Sequence, residues 1–331
     1  MASGAAAQKL SGGGWDLRLF RHAVDSKGLA SVNGTDILGH KSYSFGLILD
    51  AAFKMMPYEG FRNDESRAQE DAKRESYLVD QYFTGVLHFN YGLFNRVIIG
   101  AQLPIIITGG RNITAPDEYN TNESGGLDFQ GIGNLVLHAK WRILRMETAP
   151  VGLAAVLQLG FPTGSSKEFA GEPGVAIWPS VVLGYRPVRI LRLNGEVGYR
   201  AVTGSGADVH FNRRTEPSGG SATMAQIVGS QNGTAVKYGS HLTFGGGLAI
   251  RVSSAVDVLA EVYGNNIFGS KGSLATELLA GLKIFVQENS YLLIAGSCGN
   301  ACMPIDGFNQ PQYRAILGFI FEPSIGDADR D

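Results

Sequence analysis

The sequence predicts an all-β protein: a transmembrane, antiparallel, up-and-down β-barrel of about 12 strands. Three observations carry that prediction. Apolar and polar residues alternate with period two over long stretches. Short connections alternate with long polar ones through the whole chain. Charged residues make up only 18 % of the sequence, while Gly reaches 45 of 331, about twice its ordinary usage.

The alternation defines the strands, because successive strand side chains point to opposite faces. In GLDFQGIGNLVLHAKW (126–141), Leu127, Phe129, Leu135, Leu137, Ala139 and Trp141 share one face with Gly131 and Gly133. Asp128, Gln130, Asn134, His138 and Lys140 take the other. LRLNGEVGYRAV sets Leu191, Leu193, Val197, Tyr199 and Ala201 against Arg192, Asn194, Glu196 and Arg200. SLATELLAGLKIFV sets Leu274, Leu278, Leu282, Ile284 and Val286 against Glu277 and Lys283. In YRAILGFIFE, Tyr313, Leu317, Phe319 and Phe321 oppose Arg314 and Glu322. Strands are expected at 42–53, 78–91, 96–108, 126–141, 151–162, 176–186, 190–202, 237–252, 255–264, 273–286, 290–297 and 312–322. Many reach the ~9–11 residues that a tilted strand needs to cross a bilayer.

The connections then separate a membrane barrel from a soluble sandwich. Short ones fall at 92–95, 142–150, 187–189, 253–254 and 287–289, and long ones at 54–77, 109–125, 163–175, 203–236, 265–272 and 298–311. Outer-membrane barrels sort their loops this way, with tight turns on the periplasmic side. An even strand count puts both termini on that side. No run of ~18 apolar residues suggests a membrane helix, and a sheet in lipid must close to satisfy its backbone. Tyr43, Tyr82, Phe94, Trp141, Phe161, Trp178, Tyr185, Tyr291 and Tyr313 lie near strand ends, where interfacial aromatic girdles form. Leu103-Pro104 is expected near an outer strand end, where a missing N–H is tolerated. Residues 1–40 lack clean alternation and are either a periplasmic lead or a plug in the lumen; 41–323 form the barrel. MASGAAAQKLSGGG has no basic start and no sustained apolar core, so it does not read as a signal peptide.

Function is sought on the inward face. Its polar candidates are Asp128, His138, Lys140, Arg192, Glu196, Arg200, Arg251, Asp257, Glu261, Glu277, Lys283, Arg314 and Glu322. Both signs are mixed, which favours a salt-bridged, closed or narrow lumen over a strongly ion-selective one. No catalytic residues are expected: His88, His138 and His241 lie in strands without a spacing that asserts a nucleophile or a metal. The net charge of -2 offers nucleic acid no basic field. Cys298 and Cys302 sit close enough in SCGNACMP for a loop disulfide in an oxidising compartment. Loop 203–236 is the longest and is a candidate for binding an extracellular protein or surface ligand. In the ending GDADRD, Asp327, Asp329 and Asp331 form a D-x-D-x-D ladder that would suit calcium, without the glycine and distal acid of a complete site.

The chain resembles the amino-terminal β-barrel of large OmpA-family outer-membrane proteins of Gram-negative bacteria. The stretches that carry the resemblance are LFRHAVDSKGLASVNGTDILGHKSYSFGLILD (19–50), GIGNLVLHAKWRIL (131–144), LQLGFPTGS (157–165) and the last strand running into GDADRD. It implies that 324–331 opens an aspartate-rich, thrombospondin type 3-like repeat region, with Asp327, Asp329 and Asp331 matching its first calcium ligands. It also implies a following domain that binds peptidoglycan, no cofactor in the barrel itself, and contact with outer-membrane lipid and lipopolysaccharide. The expected role is therefore an anchoring and surface-display barrel. A porin-like channel for small solutes and a surface adhesin are the alternatives.

Overall fold

The computed structural model describes residues 16–58, 76–110, 128–146, 148–166, 169–203, 208–211, 234–237, 239–267, 274–303 and 309–323. Its elements are all strands: β1 (Tyr43–Tyr58), β2 (Ser76–Leu93), β3 (Val97–Gly110), β4 (Asp128–Ile132), β5 (Leu135–Leu144), β6 (Gly152–Phe161), β7 (Ala176–Val188), β8 (Leu191–Val202), β9 (Asp208–Phe211), β10 (Thr234–Lys237), β11 (His241–Ser253), β12 (Val256–Ile267), β13 (Leu274–Phe285), β14 (Tyr291–Cys298) and β15 (Tyr313–Phe321). Neighbours pair antiparallel, and β1 pairs with both β2 and β15, so the sheet closes on itself. β4 and β5 both run along β3 and together make one stave. Among the described residues β9 and β10 pair only with each other, as a ribbon between β8 and β11. The result is a closed, antiparallel, 12-strand barrel.

The expected staves are present with small shifts of boundary, and one differs in kind. The strand expected at 126–141 breaks at Gly133-Asn134. The break changes phase: beyond it Val136, His138 and Lys140 are buried while Leu137 and Trp141 are exposed, whereas before it Ile132 is exposed. Asp128 pairs with Gly109 and so holds the parity of Ile132, not that of His138. The expected place of Asp128 among the lumen residues falls on a side chain outside the described residues. Pro104 explains where the break falls. It lies inside β3, not at an end, and its carbonyl accepts from Gly133 N at 2.8 Å. A strand residue aims its N–H and C=O to the same side, so the missing donor of Pro104 faces the interruption in the neighbouring stave.

The outward face is apolar. Leu47, Leu49, Leu87, Ile99, Ile105, Leu137, Val181, Val197, Leu282 and Leu317 are all exposed on it. A closed sheet leaves no backbone edge on this face, which is the condition for a strand protein to sit in hydrocarbon. Trp141, Tyr185 and Tyr313 are exposed near strand ends. Three of the expected girdle residues turn inward instead. Tyr82 and Tyr291 are buried, and Trp178 donates its indole N–H to Thr243 at 2.9 Å. A phenol or indole packs inside once a polar partner is within reach.

The interior is occupied. Residues 16–38 run inside the barrel, with Leu17, Leu19, Phe20, Val24, Leu29, Val32 and Leu38 buried. Leu19, Phe20, Leu29, Ala30 and Val32 form one apolar cluster with Ile48, Leu259, Tyr263, Leu279, Leu293, Ile316 and Ile320 of the wall. Two glycines of β11 make room for it. A side chain at Gly245 would meet Val32 at 2.9 Å, and one at Gly247 would meet Leu29 at 2.8 Å. The FGGGLA stretch is thus a groove for the insert.

Candidate functional site

The insert enters from the long-loop end and leaves at the short-turn end. Asp16 forms a β-bridge with Ala170 of the loop between β6 and β7. The chain descends past Phe20 and His22, turns at 25–28 beside the end of β15, rises to 30–33, and exits past Asp36, which pairs with Arg186 at 3.2 Å. The barrel's own ends, Tyr43 and Phe321, lie together at the short-turn end. Asp16 lies at the opposite, long-loop end, and the chain termini fall outside the described residues. An even strand count returns the strands, but the insert crosses the barrel on its own.

Polar wall residues grip the insert by its backbone. Glu261 of β12 accepts hydrogen bonds from Ala30 N (2.5 Å), Ser31 N (2.9 Å), Ser31 Oγ (2.7 Å) and Val32 N (2.9 Å). Those amides have no strand partner, and a carboxylate is the strongest acceptor available to them. Glu196 of β8 accepts from Asn33 N at 3.1 Å and from its side-chain amide at 2.9 Å. Lys283 of β13 donates to Gly28 O at 2.5 Å. Lys140 of β5 pairs with Asp25 at 2.7 Å, both side chains fully buried. Glu322 receives Lys27 at 2.6 Å and also the Ser26 hydroxyl.

The remaining inward charges pair wall to wall or wall to loop. Arg314 bridges Glu277 (2.9 Å) and Asp50. Asp257 receives Arg192 at 2.8 Å and Arg251. Arg200 pairs with Glu172 of the β6–β7 loop at 2.7 Å. That loop folds inward: Phe169 adopts φ 59 and turns its carbonyl to the Tyr82 hydroxyl at 2.9 Å, a conformation that needs such fixing in a bulky residue. His138 donates its Nε2–H to Asn90 Oδ1 at 2.7 Å, and Asn90 Nδ2 in turn donates to His88 Nδ1 at 3.3 Å. His22 of the insert stacks edge-on against His88 with ring centroids 5.0 Å apart. Burial, then His88 and His138, then Arg18 and Arg21 hold the His22 imidazole well below its usual range. Among the described residues no group of His, Cys, Asp or Glu is arranged to hold a metal ion.

Asp16, Arg18, Asp25, Asp50 and Glu172 belong to this network and were not among the sequence candidates. Asp50 left a signal, since it shares the parity of Ser44, Gly46 and Ile48 in SYSFGLILD. Cys298 and Cys302 form a disulfide at the end of β14, with Cα atoms 5.6 Å apart. Asp327, Asp329 and Asp331 lie outside the described residues, as does most of loop 203–236.

No protein-family model matches the chain, and no curated protein matches it. Its fold is that of outer-membrane β-barrels of known structure. An outer membrane channel from Pseudomonas putida F1 aligns with TM-score 0.56 at 12 % identity, over 87 % of this chain and 98 % of that one. The toluene transporter TbuX of Ralstonia pickettii aligns with TM-score 0.43 at 11 % identity, over 95 % and 99 %. The translocator domain of the autotransporter NalP from Neisseria meningitidis gives 0.43 at 12 %, over 87 % and 90 %.

Proposed function

We propose that the chain is an outer-membrane barrel that anchors and displays a surface while its lumen is kept shut by residues 16–38. The observation that supports this reading is the way the insert is held. Five polar wall residues, Lys140, Glu196, Glu261, Lys283 and Glu322, bond to it at separate heights. The apolar cluster between insert and wall supports it further. A solute path would avoid burying Phe20, Leu29 and Val32 across the bore. The outward apolar belt is the surface offered to outer-membrane lipid and lipopolysaccharide. The OmpA-like resemblance adds a periplasmic continuation after 324–331, with calcium at Asp327, Asp329 and Asp331 and peptidoglycan as its partner.

Planar-bilayer conductance of protein already shown to be folded by its heat-shifted gel mobility tests this. The expected result is silence from inserted protein. Reproducible steps of stable size from the intact chain would overturn the closed lumen and favour the second reading, a channel for small solutes. One observation favours that reading: a cavity remains between the insert and β7, β8, β11 and β12.

A further inference from the structure

The cavity lies toward the long-loop end and measures about 60 Å³, taken as the space open to the centre of a water-sized sphere. Its walls mix aromatic and guanidinium groups. Arg21 lies over the Trp178 ring at 5.8 Å and Arg200 at 5.5 Å, so two cations share one indole. Trp178 is fixed by its bond to Thr243, and Tyr263 completes the apolar side.

The charges here are unevenly committed. Asp16 pairs with Arg18 at 2.7 Å and with Arg21 at 3.1 Å, and Glu172 pairs with Arg200 at 2.7 Å. Three guanidiniums thus share two carboxylates. Glu196 also borders the cavity, but it is turned to Asn33 and to Ser180, whose hydroxyl donates at 2.6 Å. Arg200 Nε, His22 Nε2 and Asn265 Oδ1 are buried on this lining and have no hydrogen-bond partner among the described residues. A buried N–H of a guanidinium is costly to leave unmade. Burial and then the neighbouring Arg200 bring the Arg21 pKa down to about 10, a repulsion that an anion between the two would relieve. The Arg21 side chain keeps 16 % of its surface open to the cavity.

We propose that this cavity is a binding site for a small organic monocarboxylate, held by Arg21 and Arg200 beside Trp178. A carboxylate between the two guanidiniums meets the open N–H of Arg200, and Glu196 on the border disfavours a second negative charge. The forked donors of arginine match carboxylate oxygens, and the aromatic walls suit a compact apolar body. The site stands whether or not the lumen conducts.

The test is calorimetric titration of the intact, detergent-folded chain at neutral pH with benzoate, and with benzamide as its uncharged counterpart. Saturable heat is expected from benzoate alone. Arg21→Gln should weaken it about tenfold or more, the scale of one charge-assisted contact. That variant leaves Asp16 paired with Arg18, and its heat-shifted gel mobility reports folding independently. Arg21→Lys, which keeps the charge but loses the fork, should fall between the two. Equal heats from benzoate and benzamide, an unchanged affinity in folded Arg21→Gln, or no saturable benzoate heat from the intact chain would each overturn the proposal.

Discussion

At the scale of single residues, the lumen is governed by what becomes of backbone groups that have no strand partner. Glu261 is the clearest case, because one side chain collects three amides and a hydroxyl. Glu261→Ala strands those donors in a buried place at about 1–3 kcal/mol each. The amides of 30–32 should then exchange hydrogen orders of magnitude faster while the strand amides keep their protection. Equal protection of 30–32 in variant and parent would show that the apolar contacts alone hold the segment. Lys140 and Asp25 make the complementary point. Neither is exposed, so Asp25→Ala leaves a bare ammonium and should cost about 3–5 kcal/mol, whereas the doubly apolar Asp25→Ala, Lys140→Met should recover most of it. His22 gives the pH dependence. Its pKa in the folded chain lies below the ordinary value of about 6.5, so the released segment takes up a proton that the seated one refuses. The stability His22 lends the seated insert is complete above that value and is lost as pH falls below it. His88 on β2, His138 and Lys140 on β5, Arg200 on β8, and Arg18, Arg21 and Asp25 on the insert face the same interior. Asp16 and Glu196 face it too, but all three carboxylates are engaged, Asp16 with Arg18, Asp25 with Lys140 and Glu196 with Asn33, so an imidazolium at 22 gains no open partner. Protease cleavage within 16–38 should rise on acidification below pH ~6, and His22→Gln should flatten that rise.

At the scale of elements, the staves were legible and the insert was not, for a physical reason. A stave answers to lipid on one side and to a packed lumen on the other, which enforces period two; Leu278 and Leu282 against Glu277 and Lys283 show it. The phase change at Gly133-Asn134 was hidden because Gly131 and Gly133 carry no side chain to declare a face. The inward turn of Trp178 depends on Thr243, 65 residues on. Residues 16–38 fit neither period because their partners are scattered over the wall: Asp25 meets a lysine 115 positions away and Ser26 a glutamate 296 away. No local pattern can encode such contacts. The sequence left the lead and the plug open as alternatives, and it named the residues that hold the insert, Lys140, Glu196, Glu261, Lys283 and Glu322, without naming what they hold. The cavity was likewise illegible, since Arg21, Trp178 and Arg200 meet only once the insert is seated. Deleting 16–38 separates the element from its wall. The staves pair among themselves, so the shortened chain should still give a heat-shifted band, and it should conduct where the intact chain is silent. A deletion variant that inserts and remains silent would place the seal elsewhere, with the inward loop at 163–175 the first candidate.

At the scale of the whole molecule, the two faces of one sheet make opposite demands, and this bears on the membrane reading itself. The inner face tolerates charge because nearly every charge there has a partner. The outer face offers none. Leu87 is 48 % exposed in the middle of β2, paired across the outer surface with Leu47 and Leu103, while Val286 is exposed beside the short turn after β13. In water the two sites would be equivalent, and an arginine at either would change stability by no more than about 0.5 kcal/mol. In a bilayer they differ by depth. Leu87→Arg should cost about 2–4 kcal/mol, and Val286→Arg about 0–1, where an arginine can reach the interface. Urea titrations of folding into lipid vesicles, read by gel mobility, measure both. A large cost at 87 with a small one at 286 places the apolar belt in hydrocarbon. Equal small costs would remove the membrane from the account, and the exposed leucines would then need a protein partner to cover them.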